Sequence, residues 1–507
     1  VTVNGPLVLN GAVTLKVSAS GLAAGSYPLI AYGSSTGAGS FVLGTVPAVT
    51  AAVATLTNDT SAKVWKLVYT PLTALNWDAG NTANGAILDA GSGVWDFNVN
   101  NPVWNTNASN LSWLNTVAAI FGGTDGNWTI SLATNVAPTA LVFAASGYRL
   151  TAAAAETLAL TTSGSGTVPN LQVGAGKSAS IGANVTVQTS GAANLILGGP
   201  AGTGNPAGAL NIEASGLVQV SGSATLGLVG DGTTLNVLPG GALGRTSSGT
   251  FLLGSTTGDN CVLNVNGGTV TLTGSGNVRL GGNSSAGAVA GTLNLNSGMF
   301  TMDALNTTVP LTLGVNAGNL GTNNLNGGVL SVNQIVKGNA AATAVLNFNG
   351  GTLQAVNGAL GTNFLNGLTA ANVRNGGAVI DNRGFNLTVG QALVHSPQPD
   401  DQAVDGGLLA LGSGSLFLTN VCAYNGNTVV SNGTLGLTGS GAIAASARIT
   451  LVSPAAKLDV TAVGGGFVLA SGQTLGGVGS VAGSVTGAAN SILSPGNQLI
   501  GTLTCSN

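Results

Sequence analysis

The sequence predicts an all-β protein built as a β-solenoid, in which short strands stack in successive coils. Three observations lead to this expectation. A motif centred on Asn recurs at intervals of 23 to 30 residues. An apolar-Gly pair precedes most copies of the motif, and several copies are followed by a Gly turn and a short alternating strand. A period of 20 to 50 residues with short strands and turns is typical of solenoids.

The composition narrows the classes of function. Of 507 residues, 82 are Gly and only 5% are charged, whereas about a quarter of the residues in a globular protein carry charge. The net charge is −3 without a basic patch, which argues against a nucleic-acid partner. There is no apolar run of about 18 residues, so no membrane span is predicted. So few charges suit a body whose flanks pack against copies of itself.

The chain divides into four segments by its motifs. Residues 1–70 contain short strands with Gly turns, and residues 71–150 form a Trp-rich β module. Residues 151–405 carry the Asn-marked coils of about 23–30 residues. Residues 406–507 form a last strand-rich block, which begins after the charged loop around residues 395–405.

The repeated Asn residues occupy equivalent positions in successive coils. Stacked about 4.8 Å apart, their side-chain amides can bond the copies above and below and form a ladder. A role in turns that tolerate left-handed backbone is an equal alternative. The six residues are Asn211, Asn236, Asn264, Asn294, Asn324 and Asn347.

Residues 407–418 and 424–435 carry a family resemblance. They contain a Gly-x-Leu strand, a Leu-x-Leu strand, Tyr-x-Gly-x-Thr and a Val strand followed by Gly-x-Leu. This pattern resembles the repeat of autotransporter-associated β-strand proteins. Ala410 stands where that family often has Lys, and residues 421–423 replace the usual Gly-Ala-Asn. The resemblance implies a right-handed parallel β-solenoid, secreted or displayed on a bacterial surface, without enzymatic activity.

The Trp-rich segment is similar to a module common in large secreted bacterial proteins of this type. In such proteins the Trp module precedes the coils, and a segment like residues 1–70 follows a Pro-Gly block such as Pro495-Gly496. The resemblance therefore implies that residues 1–70 correspond to the end of a preceding copy, and that residues 406–507 finish at an open junction.

The first and last residues support a junction between copies. Residues 1–15 and 493–507 alternate in the same strand pattern. We expect them to meet head to tail, either as tandem copies on one polypeptide or as separate subunits. The expected junction residues are Val1, Val3, Leu7, Leu9, Leu493, Leu499, Leu503 and Cys505.

The tryptophans allow two interpretations. An exposed ring stacks on the face of a sugar, which would make the module a glycan platform. Irregular spacing within a short segment instead favours a core or an interface between units. The residues concerned are Trp77, Trp95, Trp104, Trp113 and Trp128.

The titratable residues predict no enzyme, no metal site and no cofactor. His395 is the one histidine, and it lies near Asp400, Asp401 and Asp405, which lack the spacing of a calcium loop. The other acids, such as Asp231 and Asp259, fall in different coils, away from the paired carboxylates that polysaccharide cleavage needs. Cys261 and Cys422 are expected to be buried, and Cys505 is a candidate for a bond between subunits.

These observations predict a structural subunit of an extracellular bacterial filament or matrix fibre, assembled head to tail by β-strand pairing. Its partners would be copies of itself. The alternative is a surface adhesin or autotransporter-type passenger at the cell surface, which binds glycan through the Trp-rich module.

Overall fold

The computed structural model describes residues 1–49, 52–80, 89–98, 100, 102–106, 110–165, 168–199, 206–283, 287–303, 305, 308–496 and 501–506. Over these residues the chain is all-β, apart from a short 3₁₀ turn at Gly361–Asn363. It forms two compact units: Val1–Asp89 with Phe97–Ile120, and Ala90–Asp96 with Phe121–Asn507.

The first unit joins parallel and antiparallel pairs. β1 pairs with β3 and β2 with β4 in parallel, whereas β6 lies antiparallel between β3 and β5. β7 pairs with β9 antiparallel and with β11 in parallel. In chain order the strands as far as residue 121 are β1 (Thr2–Val8), β2 (Ala12–Leu15), β3 (Gly25–Thr36), β4 (Ser40–Leu43), β5 (Ala52–Asp59), β6 (Val64–Pro71), β7 (Ala74–Trp77), β8 (Gly93–Trp95), β9 (Trp104–Asn105), β10 (Asn110–Leu111) and β11 (Ala118–Phe121).

The second unit is a stack of short strands. In chain order its strands after β11 are β12 (Trp128–Leu132), β13 (Leu141–Phe143), β14 (Tyr148–Ala152), β15 (Glu156–Leu160), β16 (Leu171–Val173), β17 (Ser178–Ile181), β18 (Val185–Thr189), β19 (Leu195–Gly198), β20 (Ala209–Ile212), β21 (Leu217–Gly222), β22 (Leu226–Leu228), β23 (Asp231–Val237), β24 (Ala242–Ser247), β25 (Phe251–Leu253), β26 (Asn260–Thr273), β27 (Val278–Leu280), β28 (Ala290–Met302), β29 (Leu311–Leu313), β30 (Leu320–Leu325), β31 (Val329–Val332), β32 (Ile335–Lys337), β33 (Thr343–Phe348), β34 (Thr352–Ala355), β35 (Leu365–Asn366), β36 (Ala370–Val373), β37 (Ala378–Asp381), β38 (Leu387–Val389), β39 (Leu393–His395), β40 (Leu408–Leu411), β41 (Ser415–Leu418), β42 (Thr428–Val430), β43 (Thr434–Leu437), β44 (Arg448–Leu451), β45 (Lys457–Asp459), β46 (Phe467–Leu469), β47 (Thr474–Gly477), β48 (Ser480–Ala482), β49 (Val485–Gly487), β50 (Ile492–Pro495) and β51 (Thr504–Ser506).

These strands stack in parallel on three faces. Face A contains β12, β14, β17, β20, β23, the first half of β26 and of β28, β30, β33, β36 and β39. Face B contains β15, β18, β21, β24, the second half of β26 and of β28, β31, β34, β37, β40, β42, β44, β47 and β50. Face C contains the series from β13 and β16 to β48 and β51. The solenoid has about 17 turns.

The alternation of side chains explains why these segments form a solenoid. On face A, the side chains of Leu210, Leu235, Leu263 and Leu293 lie in register and are buried. The residue next to each of them in its own strand points outward. Successive side chains of a strand point to opposite faces, so one apolar column fills the interior. Burial of each Leu stabilises the stack by about 1.5–3 kcal/mol.

Glycines carry the chain from face A to face B. β26 and β28 run through both faces without a break. Gly298 turns with φ 83°, and a Cβ there would lie 2.2 Å from the carbonyl oxygen of Gly268 in the turn below. Only glycine permits so close an approach of stacked backbones.

The structure confirms the predicted solenoid and extends it. Parallel stacking begins by β12, inside the segment expected to be a separate Trp-rich module, and continues to β51. The expected boundaries near residues 150 and 405 are therefore not breaks in the stack. The sequence changes its motifs at these points, while the path of the backbone continues.

One inward position on face A breaks the apolar column. Asn323 lies in register between Leu293 and Leu346 and is fully buried. Neither amide atom has a hydrogen-bond partner in the protein. A buried polar group without a partner costs about 1–3 kcal/mol.

We expect Asn323→Leu to stabilise this turn by about 1–3 kcal/mol, because it removes the unpaired amide and restores the Leu column. Hydrogen exchange of Leu320–Leu325 would measure the local free energy of opening. Asn324→Leu is the matched control. It should destabilise the same strand, since Asn324 points outward and exchanges hydrogen bonds with Asn294 and Asn347. Reduced protection in N323L would contradict the prediction.

Candidate functional site

The outer surface of face A carries a continuous ladder of side-chain amides. From Asn236 onward, each Asn donates from Nδ2 to Oδ1 of the Asn one turn earlier, over distances of 2.6 to 2.8 Å. The ladder runs through Asn211, Asn236, Asn264, Asn294, Asn324 and Asn347 and continues to Asn372. The six asparagines singled out in the sequence therefore form the ladder, and they do so within strands rather than in turns.

A second and shorter ladder lies at the corner between faces A and B. Asn296 donates to Asn266 at 2.8 Å, Asn326 to Asn296 at 2.9 Å, and Asn349 to Asn326 at 3.4 Å. These amides are more exposed than those of the first ladder. Each hydrogen bond contributes about 0.5–1.5 kcal/mol net, and stacked amides polarise one another. The ladders fix the register between turns.

The last described turn leaves its core open. β49, β50 and β51 pair in parallel with β46, β47 and β48, each on one side only within the described residues. Leu493 lies in register over the buried Leu475 and is 60% exposed. Cys505 lies over the buried Val481 and is also exposed. Two apolar columns of the interior thus reach solvent at this turn.

A hollow of about 650 Å³ lies between these strands. Its lining includes Leu469, Val485, Leu493 and Cys505 together with small residues such as Gly487. Ser484, Ser491 and Ser506 also line the hollow. It therefore lies where the inner columns that contain Leu475 and Val481 reach solvent, and its lining is part apolar and part polar.

The first unit has a second open edge. β1 is an edge strand whose described partner is β3, and the two are parallel, as in a solenoid turn. β2 and β4 repeat that arrangement. Val1, Val8 and Val13 are exposed along this edge, Val1 to 85%. An edge strand with exposed apolar side chains is a ready template for another strand.

The structure places most of the expected junction residues on these two edges. Val3, Leu7 and Leu503 are half-buried, whereas Leu493 and Cys505 are exposed. The expectation for Leu9 is corrected: its side chain is buried within the first unit, so it is not available to another copy. Leu499 lies outside the described residues.

The tryptophans lie mostly in the core. Trp104 packs against Trp77 with ring centroids 5.3 Å apart and against Trp113 at 4.6 Å, all three within the first unit. Trp95 packs on Phe121 in the second unit, and Trp128 is half-buried. The four rings other than Trp128 are almost wholly buried. They offer no face for a sugar to stack on, which corrects the glycan-platform interpretation for these residues.

The one charged loop is anchored by internal contacts. Arg374 lies 2.9 Å from Asp401 and 2.8 Å from Asp400. Asp405 accepts backbone N–H groups of Gly407, Asn425 and Gly426 at 2.9 Å, and its Oδ2 lies 3.0 Å from Nδ1 of His395.

These contacts set the protonation of Asp401. Burial alone would raise its pKa, but hydrogen bonds from Arg374 and Ser396 and the charge of Arg374 hold the pKa below its ordinary value of 3.8. The acids of this loop thus serve to dock it. Within the described part of the chain, no group of three or more His, Cys, Asp or Glu is placed to hold a metal ion.

Asp231 and Asp259, which the sequence placed in different coils, are out of register. Asp231 pairs with Asn260, while Asp259 is buried and accepts hydrogen bonds from the backbone of Gly230, Ser255 and Thr256 at 2.8 to 3.0 Å. Asp259 therefore caps a turn inside the fold instead of facing a substrate.

Sequence analysis missed Arg245, which points into the core between Val220 and Leu272. Its Nη1 donates to the carbonyls of Gly249, Gly276 and Asn277 at 2.8 to 3.1 Å, so it joins two successive turns. Burial lowers its pKa to about 10. Alternation with the buried Leu243 places this residue inward, but a charged side chain is usually assigned to the surface.

The cysteines are free thiols. Cys261 and Cys422 are buried, as the sequence predicts, and burial raises the pKa of both. Cys505 is exposed on β51, at the open turn. A protonated thiol in the core is inert, so only Cys505 has access to other molecules among the three.

We expect Asn294→Asp to weaken the first ladder at neutral pH, because a carboxylate would face Oδ1 of Asn264 and donate nothing. Protonation restores a donor, so the stability lost at pH 7 should return in part below about pH 4. Asn296→Asp in the exposed ladder is the matched control and should lose less. Hydrogen exchange of β28 at both pH values would measure the difference. Equal losses would contradict a special role for the first ladder.

Asp401→Asn should release the charged loop at neutral pH. In the native protein the lowered pKa stabilises the docked loop above pH 3.8, and this contribution is lost as the pH falls through the folded value. Limited proteolysis of residues 396–405 between pH 6 and pH 2 would follow the release. Asp400→Asn is the control: Asp400 is 72% exposed and Asp401 only 2%, so it should change cleavage little. Similar effects of both variants would refute the conclusion that Asp401 anchors the charged loop.

Comparison with known proteins adds no relative. No family model, no curated protein and no solved structure matches the chain. No helix in the described residues is long and apolar enough to cross a membrane. The open strand edges and the stacked faces are thus the features from which a function can be argued.

Proposed function

We propose that the protein is a structural subunit of an extracellular bacterial filament or matrix fibre, joined head to tail by strand pairing between copies. The observation that carries the proposal is the open turn at β49–β51. There the inner columns that contain Leu475 and Val481 end in an exposed Leu493 and an exposed Cys505. A solenoid interior that opens to solvent calls for a further turn.

The proposed occupant is the edge formed by β1 and β2 of another copy. That edge already uses parallel pairing, with β3 and β4, and so matches the geometry of the strands it would join. Pairing would satisfy the free N–H and C=O groups of both edges, as in β-strand addition. It would also bury Leu493, a gain of about 1.5–3 kcal/mol if burial became complete.

Extracellular location and secretion form part of the proposal. They are supported by the resemblance of residues 407–435 to the autotransporter-associated repeat. The scarcity of charge supports a body that contacts its own copies. Burial of the four tryptophans removes the main support for a glycan-binding adhesin.

Leu493→Lys should weaken the joint between copies, because it places a charge in an apolar column that the next turn would cover. Electron microscopy should show shorter filaments if the subunits are separate chains. In a tandem polypeptide, hydrogen exchange at β50 should rise instead. Val468→Lys is the matched control, since Val468 is an apolar residue of β46 with 55% exposure beside 60% for Leu493.

Unchanged filaments and unchanged exchange in L493K would refute the joint. Migration under denaturing conditions distinguishes the two forms of assembly. Tandem copies would run far above 48.9 kDa, and separate subunits would run at that mass.

A further inference from the structure

Face B presents a long surface with few outward charges, among them Asp381 and Arg448. Its outward side chains form two columns in register along the stack. The first column is Leu217, Ala242, Thr269, Met299, Val329, Thr352, Val379, Leu409, Val429 and Thr450. The second is Gln188, Gln219, Gly244, Thr271, Thr301, Ser331, Gln354, Asp381 and Leu411.

The first column consists of apolar side chains and threonines, all partly or fully exposed. Met299 is 45% exposed. In the second column Asp381 is the one charged residue, and it accepts a hydrogen bond from Gln354 at 3.1 Å. This face therefore has an apolar stripe bordered by a mainly polar stripe that contains one charge, Asp381.

The other two faces differ in chemistry. On face A, the outward amides hydrogen-bond to one another, and Arg149 is paired with Glu213. On face C, Arg279 and Asp459 lie on outward positions. A contact on either face would bury charges or amides that are already paired, whereas a contact on face B would bury mainly uncharged surface.

We infer that face B is the lateral contact surface of the solenoid, and that its partner is face B of a second copy of this chain. When two copies meet through the same surface, charges of the same sign are brought towards one another. A surface with few charges avoids this repulsion, which favours a second copy as the partner. Two flat sheets pack face to face about 10 Å apart, with their outward side chains interdigitated.

The area of the stripe sets the strength of this contact. Ten turns at about 4.8 Å and strands of about four residues give roughly 43 Å by 13 Å, or about 560 Å² on each partner. A stable pair of proteins needs about 800 Å² on each side. Single units should therefore associate weakly, and joined units should bind tightly through many linked contacts.

This inference is independent of the head-to-tail joint, because it concerns a flank that is complete within one unit. The test uses the full chain carrying Leu493→Lys, so that the proposed end contact is suppressed. V329K/T352K adds two charges to adjacent turns of face B. T322K/V345K is the matched control: it changes the same residue types, at equally half-buried positions in adjacent turns of face A.

Sedimentation velocity over a wide concentration range would measure the association. The parent is the full chain that carries Leu493→Lys alone. We expect the parent and the face A control (T322K/V345K) to self-associate with the same affinity, and the face B variant (V329K/T352K) to self-associate at least about tenfold more weakly. Because the contact is uncharged, raising the salt from low to molar concentration should not weaken it in the parent.

Three outcomes would overturn the inference. The parent could remain monomeric at the highest concentration, or both double variants could lose association equally. Loss of association of the parent at high salt would indicate a charged contact elsewhere. Hydrogen-exchange profiles of both variants outside the altered strands should match the parent, which separates loss of contact from loss of fold.

Discussion

The structure depends on one constraint, the in-register stacking of parallel strands from turn to turn. Each turn hydrogen-bonds through its backbone to the turns above and below, so every side chain lies about 4.8 Å from its equivalents. Each residue type that fills a column must therefore tolerate contact with the same residue type in the turns above and below. Leu does so in the core and Asn does so on face A.

The same constraint makes the last turn different from the others. In a solenoid, stability is close to a sum over turns and over contacts between neighbours. A turn with one neighbour keeps half of these contacts and exposes its side of the interior, as Leu493 and Cys505 do. The exposed apolar columns of the last described turn therefore follow from the regularity of the stack.

The sequence predicted what repeats and missed what departs from the repeat. The Asn ladder followed from the spacing of a motif, and the structure extends it by one residue, Asn372, which follows Ala371. Asn323 and Arg245 stand at inward positions where their neighbours are apolar. Alternation with Leu325 and Leu243 places them inward, whereas their polarity favours the surface. The register of adjacent turns shows that they lie in the core. The motif changes near residues 150 and 405 suggested boundaries, although the backbone path does not change there.

Stacking also explains the unusual scarcity of charge. Two like charges 4.8 Å apart repel by about 1 kcal/mol in water, and by several times more near a protein surface. A charged residue repeated along a column would incur that cost at every turn, whereas amides and hydroxyls bond to their own copies. Several of the charges that remain are found in pairs, such as Arg374 with Asp401 and Lys177 with Asp125. A neutral flank is therefore the expected product of a long parallel stack, and flanks of this kind are well suited to contact one another.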